Sequence, residues 1–325
     1  FLTNSGTEAI EGAIKLARYH TRRPAIIAFE GAFHGRTMGA LSLTNSKVKQ
    51  RAGFGPLLPM VYHAPFPRVR SWLEGSGGDG SAELEVLRSS IFGRLVAPSD
   101  VAAIVVEPVQ GEGGYFPAPR TFMEGLRALC DQHGILLVAD EIQSGMGRTG
   151  RWWAMEQLGV EPDIVTTAKG IASGMPIGAF IARESVWTWP AGAHGSTFAG
   201  NPICAAAGLA TLQVLEDGLL ENAERMGALL RSGLERVAGE HGGVRDVRGL
   251  GLMVGVELAS HEAANAVQQE AFERGLLVLE CGEATLRLCP PLIVDEELVR
   301  TAISIFAEAL PAALRGLPGT AEVGG

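Results

Sequence analysis

The sequence predicts an α/β fold: a large domain built on a mostly parallel sheet, followed by a small C-terminal α/β domain. Three observations predict it. Short apolar runs of strand length, each ending in a polar or glycine turn, alternate with segments of helical period. A long helical pattern from about residue 201 to 240 interrupts that alternation, and "VRDVRGLGLMVGVEL" then begins a second, smaller set of strands and helices. The 325 residues also exceed the usual size of one domain. We divide the chain into a large domain over 1–215, a connecting helix over 216–240 and a small domain over 241–325.

In chain order, the first element is a helix. After "NSGT", Ile10, Ala13, Ile14 and Ala17 repeat at i, i+3, i+4, i+7, with Glu8 and Glu11 in the first turn, where the helix dipole favours acids. Five strands follow: "AIIAFEG" (25–31), "AAIVVEP" (102–108), "ILLVADE" (135–141), "DIVTTAK" (163–169) and "IGAFIAR" (177–183). Between the first two, "EGSGGDGSAE" (74–83) reads as a flexible surface loop. In open parallel sheets ligands gather at the carboxyl ends of the strands, where this sequence places Glu107, Asp140 and Lys169.

Composition narrows the function. With 27 Lys+Arg against 36 Asp+Glu, the net charge of -9 opposes broad attraction to nucleic acid or to an anionic membrane. Partners are expected to be small molecules or other copies of the chain. The four cysteines show no zinc-ligand spacing, so no metal site is expected, and free thiols fit a reducing cytoplasm. There is no signal peptide and no uninterrupted apolar run of about 18 residues, the length a spanning helix needs. The chain opens at Phe1 in what reads as the middle of a domain, so a fragment is expected.

"GMGRTG" (145–150) fits a dinucleotide fingerprint, with Asp163 as its acidic residue, but the context is wrong. The fingerprint needs its glycines directly after the first strand and its acid at the end of the second. Here the strand ends at Asp140 and Glu141, before the first glycine, and Asp163 stands at the start of its strand.

Lys169 ends an apolar run that reads as a buried strand, and a buried ammonium is costly unless neutralised or bonded. Asp140 stands 29 residues earlier, at the end of a neighbouring strand. A lysine for a Schiff base and a carboxylate that keeps a pyridine nitrogen protonated are the two groups pyridoxal phosphate needs. Taken singly, a capping aspartate and a snorkelling lysine are the ordinary readings. Other motifs add to the pair. "NSGTE" puts Ser5, Gly6 and Thr7 at a helix amino terminus, a phosphate site or an ordinary cap. "GAFHGRT" puts Phe33 where a ring could stack on a planar cofactor, with Arg36 able to clamp a carboxylate.

"NSGTEA", "FEGAFHGRT", "VVEPVQGEGGY", "LLVADEIQSGMGRTGRWWAME", "PDIVTTAKGI", "GSTFAGNP" and "LRLCPPL" occur in this order and span nearly the whole chain. In them the sequence resembles the class III, or ω-amino acid, aminotransferases, nearest to 4-aminobutyrate and acetylornithine-type members. The resemblance implies pyridoxal phosphate fold type I, the aspartate aminotransferase-like architecture. It implies that Lys169 is the Schiff-base lysine, that Asp140 partners the pyridine nitrogen and that Gln143 bonds the ring hydroxyl. Phe33 and Ile142 would pack on the two faces of the ring, with His34 also at the cofactor. Ser5, Gly6 and Thr7 would form the phosphate turn, and Thr197 would reach the phosphate of the neighbouring subunit in a homodimer.

For the substrate, the resemblance implies that Arg36 holds the carboxylate distal to the reacting amine. Arg287 would take the α-carboxylate of glutamate or 2-oxoglutarate. Glu112 would pair with Arg287 when an ω-amino acid, lacking an α-carboxylate, is bound, and Glu107 would lie in the same site. Family members carry a further segment before "NSGTEA" that walls the pocket and the dimer, and this sequence begins after it.

The implied reaction is a ping-pong transfer from an ω-amino acid to 2-oxoglutarate, with 4-aminobutyrate favoured and ornithine, acetylornithine or lysine as other donors. Some proteins resembling this family are amino acid racemases or epimerases that use the same lysine, aspartate and phosphate turn. Residue spacing does not separate the two. A non-catalytic scaffold is disfavoured, because it would need neither Lys169 nor an aligned Asp140.

Overall fold

The structure is a computed structural model that describes residues 1–69 and 78–315. Its larger sheet contains β1 (Leu2–Thr3), β2 (Ala25–Phe29), β3 (Val61–Ala64), β4 (Val101–Val106), β5 (Leu136–Asp140), β6 (Ile164–Thr167) and β7 (Gly178–Ala182). The spatial order is β1-β7-β6-β5-β4-β2-β3. Strands β2 to β6 pair in parallel, whereas β7 is antiparallel to both β6 and β1. The five strand runs read from the sequence are all here. Strands β1 and β3 escaped that reading because one has two residues and the other, "VYHA", is only partly buried.

Both faces of this sheet are covered, which is why its strands read as unbroken apolar runs. Ile26, Ala28, Ala103, Val105 and Val138 point to the side of helix α1 (Gly6–Thr21), whose Ile10, Ala13, Ile14 and Ala17 pack on them. The alternate residues Ile27, Phe29, Ile104, Val106 and Leu137 meet Phe122, Met123 and Leu126 of helix α2 (Arg120–His133). Helix α1 starts where Ser5, in extended conformation, accepts the Glu8 N–H at 3.4 Å, and it stops at Arg22, whose φ of 59° is left-handed. Gly12 lets α1 lie against β7, since a Cβ there would stand 2.2 Å from the Phe180 ring.

The connecting helix read over 216–240 is corrected. Helices α3 (Pro202–Val214) and α4 (Leu220–His241) are separated by non-helical Asp217 and Gly218. The apolar stripe of α4, with Met226, Leu230, Leu234 and Val237, is part of the C-terminal core rather than a link to it. Periodicity shows that a helix has a buried stripe; it does not say which sheet the stripe covers. The second sheet, β8 (Val244–Leu250), β9 (Met253–Leu258), β10 (Leu279–Cys281) and β11 (Thr285–Leu288), is antiparallel in the order β8-β9-β11-β10. Helices α5 (His261–Glu273) and α6 (Glu296–Leu314) complete this unit.

Among the described residues, 202–241 are long and apolar enough to cross a membrane by length and composition alone, which the search for an uninterrupted apolar run does not show. The break at Asp217 and Gly218 leaves α3 with 13 residues, about 20 Å, short of the ~30 Å hydrocarbon core. Of the loop read over 74–83, residues 74–77 lie outside the described residues. Its end is corrected: Asp79 accepts the Ser81 N–H at 3.0 Å and a helix begins at Ser81.

Candidate active site

The carboxyl ends of the parallel strands converge on a cavity of 480 Å³. Ser5, Gly6 and Thr7 line it from the start of α1, and Phe33, His34 and Arg36 from the loop after β2. Glu107 reaches it from the end of β4, Asp140, Ile142 and Gln143 from the end of β5, and Lys169 from the end of β6. Gln143 and Lys169 also line a second cavity of 810 Å³, which Tyr115, Arg287 and Cys289 approach from the side of the small sheet. Lys169 thus stands where the two spaces meet.

Register explains the pairing of Asp140 with Lys169. Asp140 on β5 is opposite Thr166 on β6, and Lys169 follows three residues later in a short turn, Lys169–Ala172. The expectation of a buried ammonium is corrected: Lys169 is exposed to the cavities and makes no hydrogen bond or ion pair within the described residues. The chain turns out of the strand there, with Lys169 at φ 44°, and that turn lifts the side chain from the core. Non-glycine residues in this region cost roughly 1 to 3 kcal/mol and cluster at functional sites.

Asp140 is 4% exposed. One oxygen accepts from His34 Nδ1 at 2.7 Å, and the other from the Ile142 N–H at 3.1 Å and the Thr166 hydroxyl at 3.3 Å. Burial alone would lower the His34 pKa, but the hydrogen bond to Asp140 and the charges of Asp140 and Glu107 outweigh it and raise it. His34 is itself tied down by its N–H to the Thr44 hydroxyl at 2.9 Å. Its Nε2 is buried without a partner among the described residues, as is the Thr167 hydroxyl, two positions before Lys169.

Glu107 sits in the same cavity, but its two oxygens accept the N–H groups of Phe33 and Gly111, each at 3.0 Å. Burial pushes its pKa up to about 7. The carboxyl therefore braces the loop that carries Phe33. Arg36 lies with its guanidinium carbon 5.6 Å from the Phe33 ring centroid. Gly6 permits a close approach between α1 and Ile142, since a Cβ there would meet Ile142 Cδ1 at 2.8 Å. Thr7 shares a 2.7 Å hydrogen bond with Thr37, whose hydroxyl donates to Glu11 at 2.6 Å.

In the second cavity's wall, Arg287 on β11 donates to Glu112 at 2.8 Å. Both side chains are about one fifth exposed, at 19% and 21%. Burial works against the Arg287 charge, yet the Glu112 carboxylate raises its pKa on balance. Glu112 belongs to the turn between two short strands, Val109–Gln110 and Phe116–Pro117. Tyr115 of that turn, singled out by no sequence argument beyond its place in "GEGGY", donates its hydroxyl to Gln143 at 2.8 Å. Arg248 of β8 donates twice to the Gly114 carbonyl, at 2.7 and 3.0 Å, and fixes the turn to the small sheet. "GMGRTG" lies at the same seam: Arg148 donates to the carbonyls of Leu252 and Pro290. Thr197 is not brought to either cavity; it lies exposed in the stretch before α3.

The residues fit pyridoxal phosphate. A long helix presents its amino terminus at one side of the smaller cavity, which suits a phosphate. A buried carboxylate held from behind by His34 lies on the cavity wall, beside Lys169, which makes no ion pair among the described residues.

Comparison with known proteins agrees with this geometry. Residues 1–310 match the family model for aminotransferase class III. The chain is 42% identical over 319 residues to the 4-aminobutyrate aminotransferase of Escherichia coli, covering 94% of this chain and 74% of that protein. It is 46% identical over 314 residues to the acetylornithine aminotransferase of Methanopyrus kandleri, covering 96% and 74%. The crystal structure of the ω-transaminase of Pseudomonas jessenii in complex with PMP superposes with a TM-score of 0.89 at 30% identity, covering 98% of this chain and 76% of that one. The fold is that of the pyridoxal phosphate-dependent transaminases. This chain belongs to the class III aminotransferases and uses pyridoxal phosphate.

Proposed function

We propose that the protein transfers the amino group of an ω-amino acid, 4-aminobutyrate foremost, to 2-oxoglutarate by a ping-pong cycle. The carrying observation is the Glu112–Arg287 pair, 2.8 Å apart beside the cavity that Lys169 enters. A guanidinium kept ready for an α-carboxylate would be a costly unpaired charge when the donor has none. Glu112 neutralises it in that state and yields it to the α-carboxylate of 2-oxoglutarate. Arg36, exposed on the opposite loop, takes the carboxylate distal to the reacting amine.

Pyridoxal phosphate supplies an electron sink that lets a proton leave the carbon bearing the amino group. Lys169 would hold the cofactor, and its free amine would move that proton as a general base. Asp140, backed by His34, would orient the ring nitrogen and keep it protonated. Gln143, set by the Tyr115 hydroxyl, would bond the ring hydroxyl, and Phe33 and Ile142 would flank the ring. Ser5, Gly6 and Thr7 bind the phosphate, and Glu107 holds the Phe33 loop. A homodimer completes the site, with Thr197 reaching the partner's phosphate. Exposed apolar side chains around Thr197 support it: Phe198, Ile203 and Leu209 are each at least 70% exposed in the single chain. Four cysteines without a disulfide suit a cytoplasmic enzyme.

A donor panel tests this reading. The holoenzyme should form glutamate from 2-oxoglutarate with 4-aminobutyrate at a higher kcat/KM than with ornithine, N-acetylornithine or lysine. Higher kcat/KM with N-acetylornithine would move the assignment to that donor. Loss of optical purity of an α-amino acid, with no glutamate formed, would replace aminotransfer by isomerisation.

A further inference from the structure

Glu112 has two cations, not one. Its Oε1 takes Arg287, and its Oε2 lies 3.8 Å from Lys47 Nζ. Lys47 is 28% exposed, and Glu112 is the only acid it pairs with among the described residues. It stands just before a short turn, Val48–Gln50, on a segment bound tightly to the cofactor loop. The Asn45 N–H donates to the Ala32 carbonyl at 2.7 Å, and Thr44 binds the N–H groups of His34 and Gly35. Glu112 is anchored from the other side, where its carbonyl accepts the Gly282 N–H at 2.8 Å. One carboxylate therefore sits between cations from two different parts of the molecule.

We propose that Lys47 is a specificity-determining residue: it holds the Glu112 carboxylate when an α-carboxylate takes Arg287. The inference rests on the switch reading above. With an ω-amino acid bound, the three side chains carry one negative and two positive charges. Entry of 2-oxoglutarate adds a second carboxylate, and the four charges then pair as substrate with Arg287 and Glu112 with Lys47. Without Lys47, Glu112 would have to leave Arg287 for a place with no counter-charge, or stay and exclude the substrate. The keto acid half of the cycle should weaken while the ω-amino half does not.

The test is steady-state kinetics of the holoenzyme as K47M, K47R, E112Q and the E112Q/K47M double variant. The ω-amino donor is whichever one the unmodified protein turns over. K47M should raise KM for 2-oxoglutarate about three- to fivefold, the size of a partly exposed ion pair. KM for the donor should stay within about twofold or fall. K47R should restore the 2-oxoglutarate value, and in the E112Q background K47M should add less than about twofold. Equal shifts in both KM values, no shift in either, or an undiminished effect in the E112Q background would overturn the inference and leave the switch reading in place. If the unmodified enzyme does not accept 2-oxoglutarate, the switch reading itself falls, and this inference with it.

Discussion

Replacing Arg248 with methionine keeps the length of a buried side chain and removes its charge. The guanidinium lies 3.0 Å from Asp246 and 2.7 Å from Glu257, donates to the Thr285 hydroxyl at 2.9 Å, and stacks 3.6 Å from the centroid of the Phe116 ring. Its two bonds to the Gly114 carbonyl cross from the small sheet to the turn that carries Glu112 and Tyr115. Removing one member of a buried ion cluster costs about 3 to 5 kcal/mol, because the groups around it lose a charged partner in a poorly solvated place. The Gly114 carbonyl adds about 1 kcal/mol or more. A loss of roughly 4 to 6 kcal/mol is a large part of the 5 to 15 typical of a folded protein. Urea unfolding followed by circular dichroism, at fixed cofactor concentration, measures it. A loss below about 1 kcal/mol for R248M would refute the reasoning.

Two further outcomes follow from single contacts. Gly6→Ala places a Cβ 2.8 Å from Ile142 Cδ1 at the cavity wall, so spectrophotometric titration should show the cofactor held about tenfold more weakly. Burial pushes Glu107 and Glu141 each from 4.5 up to about 7. A carboxyl whose folded pKa is raised stabilises the fold below its unfolded pKa and loses that contribution as pH rises through the folded value. Stability should therefore fall between about pH 4.5 and 7, by on the order of 3 kcal/mol per group. The raised pKa of His34 acts in the same direction above 6.5. Glu141→Gln can still accept the Met155 N–H and meet the Ser144 hydroxyl, so its stability relative to the parent should rise from pH 5 to 8. A flat difference across that range would contradict the assignment.

Much of the large sheet was legible because a strand buried on both faces has no place for a charged side chain until it ends. The polar residue that ends it, as Asp140 does, is then on the ligand side. The helix at "NSGTEA" was legible for a local reason: Ser5, Glu8 and the apolar spacing all concern one turn after another. What escaped depends on distant partners. His34 serves Asp140 across 106 positions of the chain, and Arg248 reaches Gly114 across 134. Neither meeting leaves a periodic trace. Tyr115 has a φ of 56°, a conformation that sequence propensity would give to glycine or asparagine, and only the folded turn shows its hydroxyl on Gln143. The exposure of Lys169 was misread for the same reason: an apolar run implies burial, but a single left-handed residue at its end reverses it.

The most direct test of the central claim is a half-reaction in the absence of any keto acid. 4-Aminobutyrate is added to the holoenzyme, and the visible absorbance of the lysine-bound cofactor is followed. The expected result is loss of that band as the cofactor becomes the pyridoxamine form, its return on adding 2-oxoglutarate, and neither change in a Lys169→Ala variant. A band that persists with 4-aminobutyrate, ornithine and lysine, while a chiral α-amino acid loses optical purity, would contradict it.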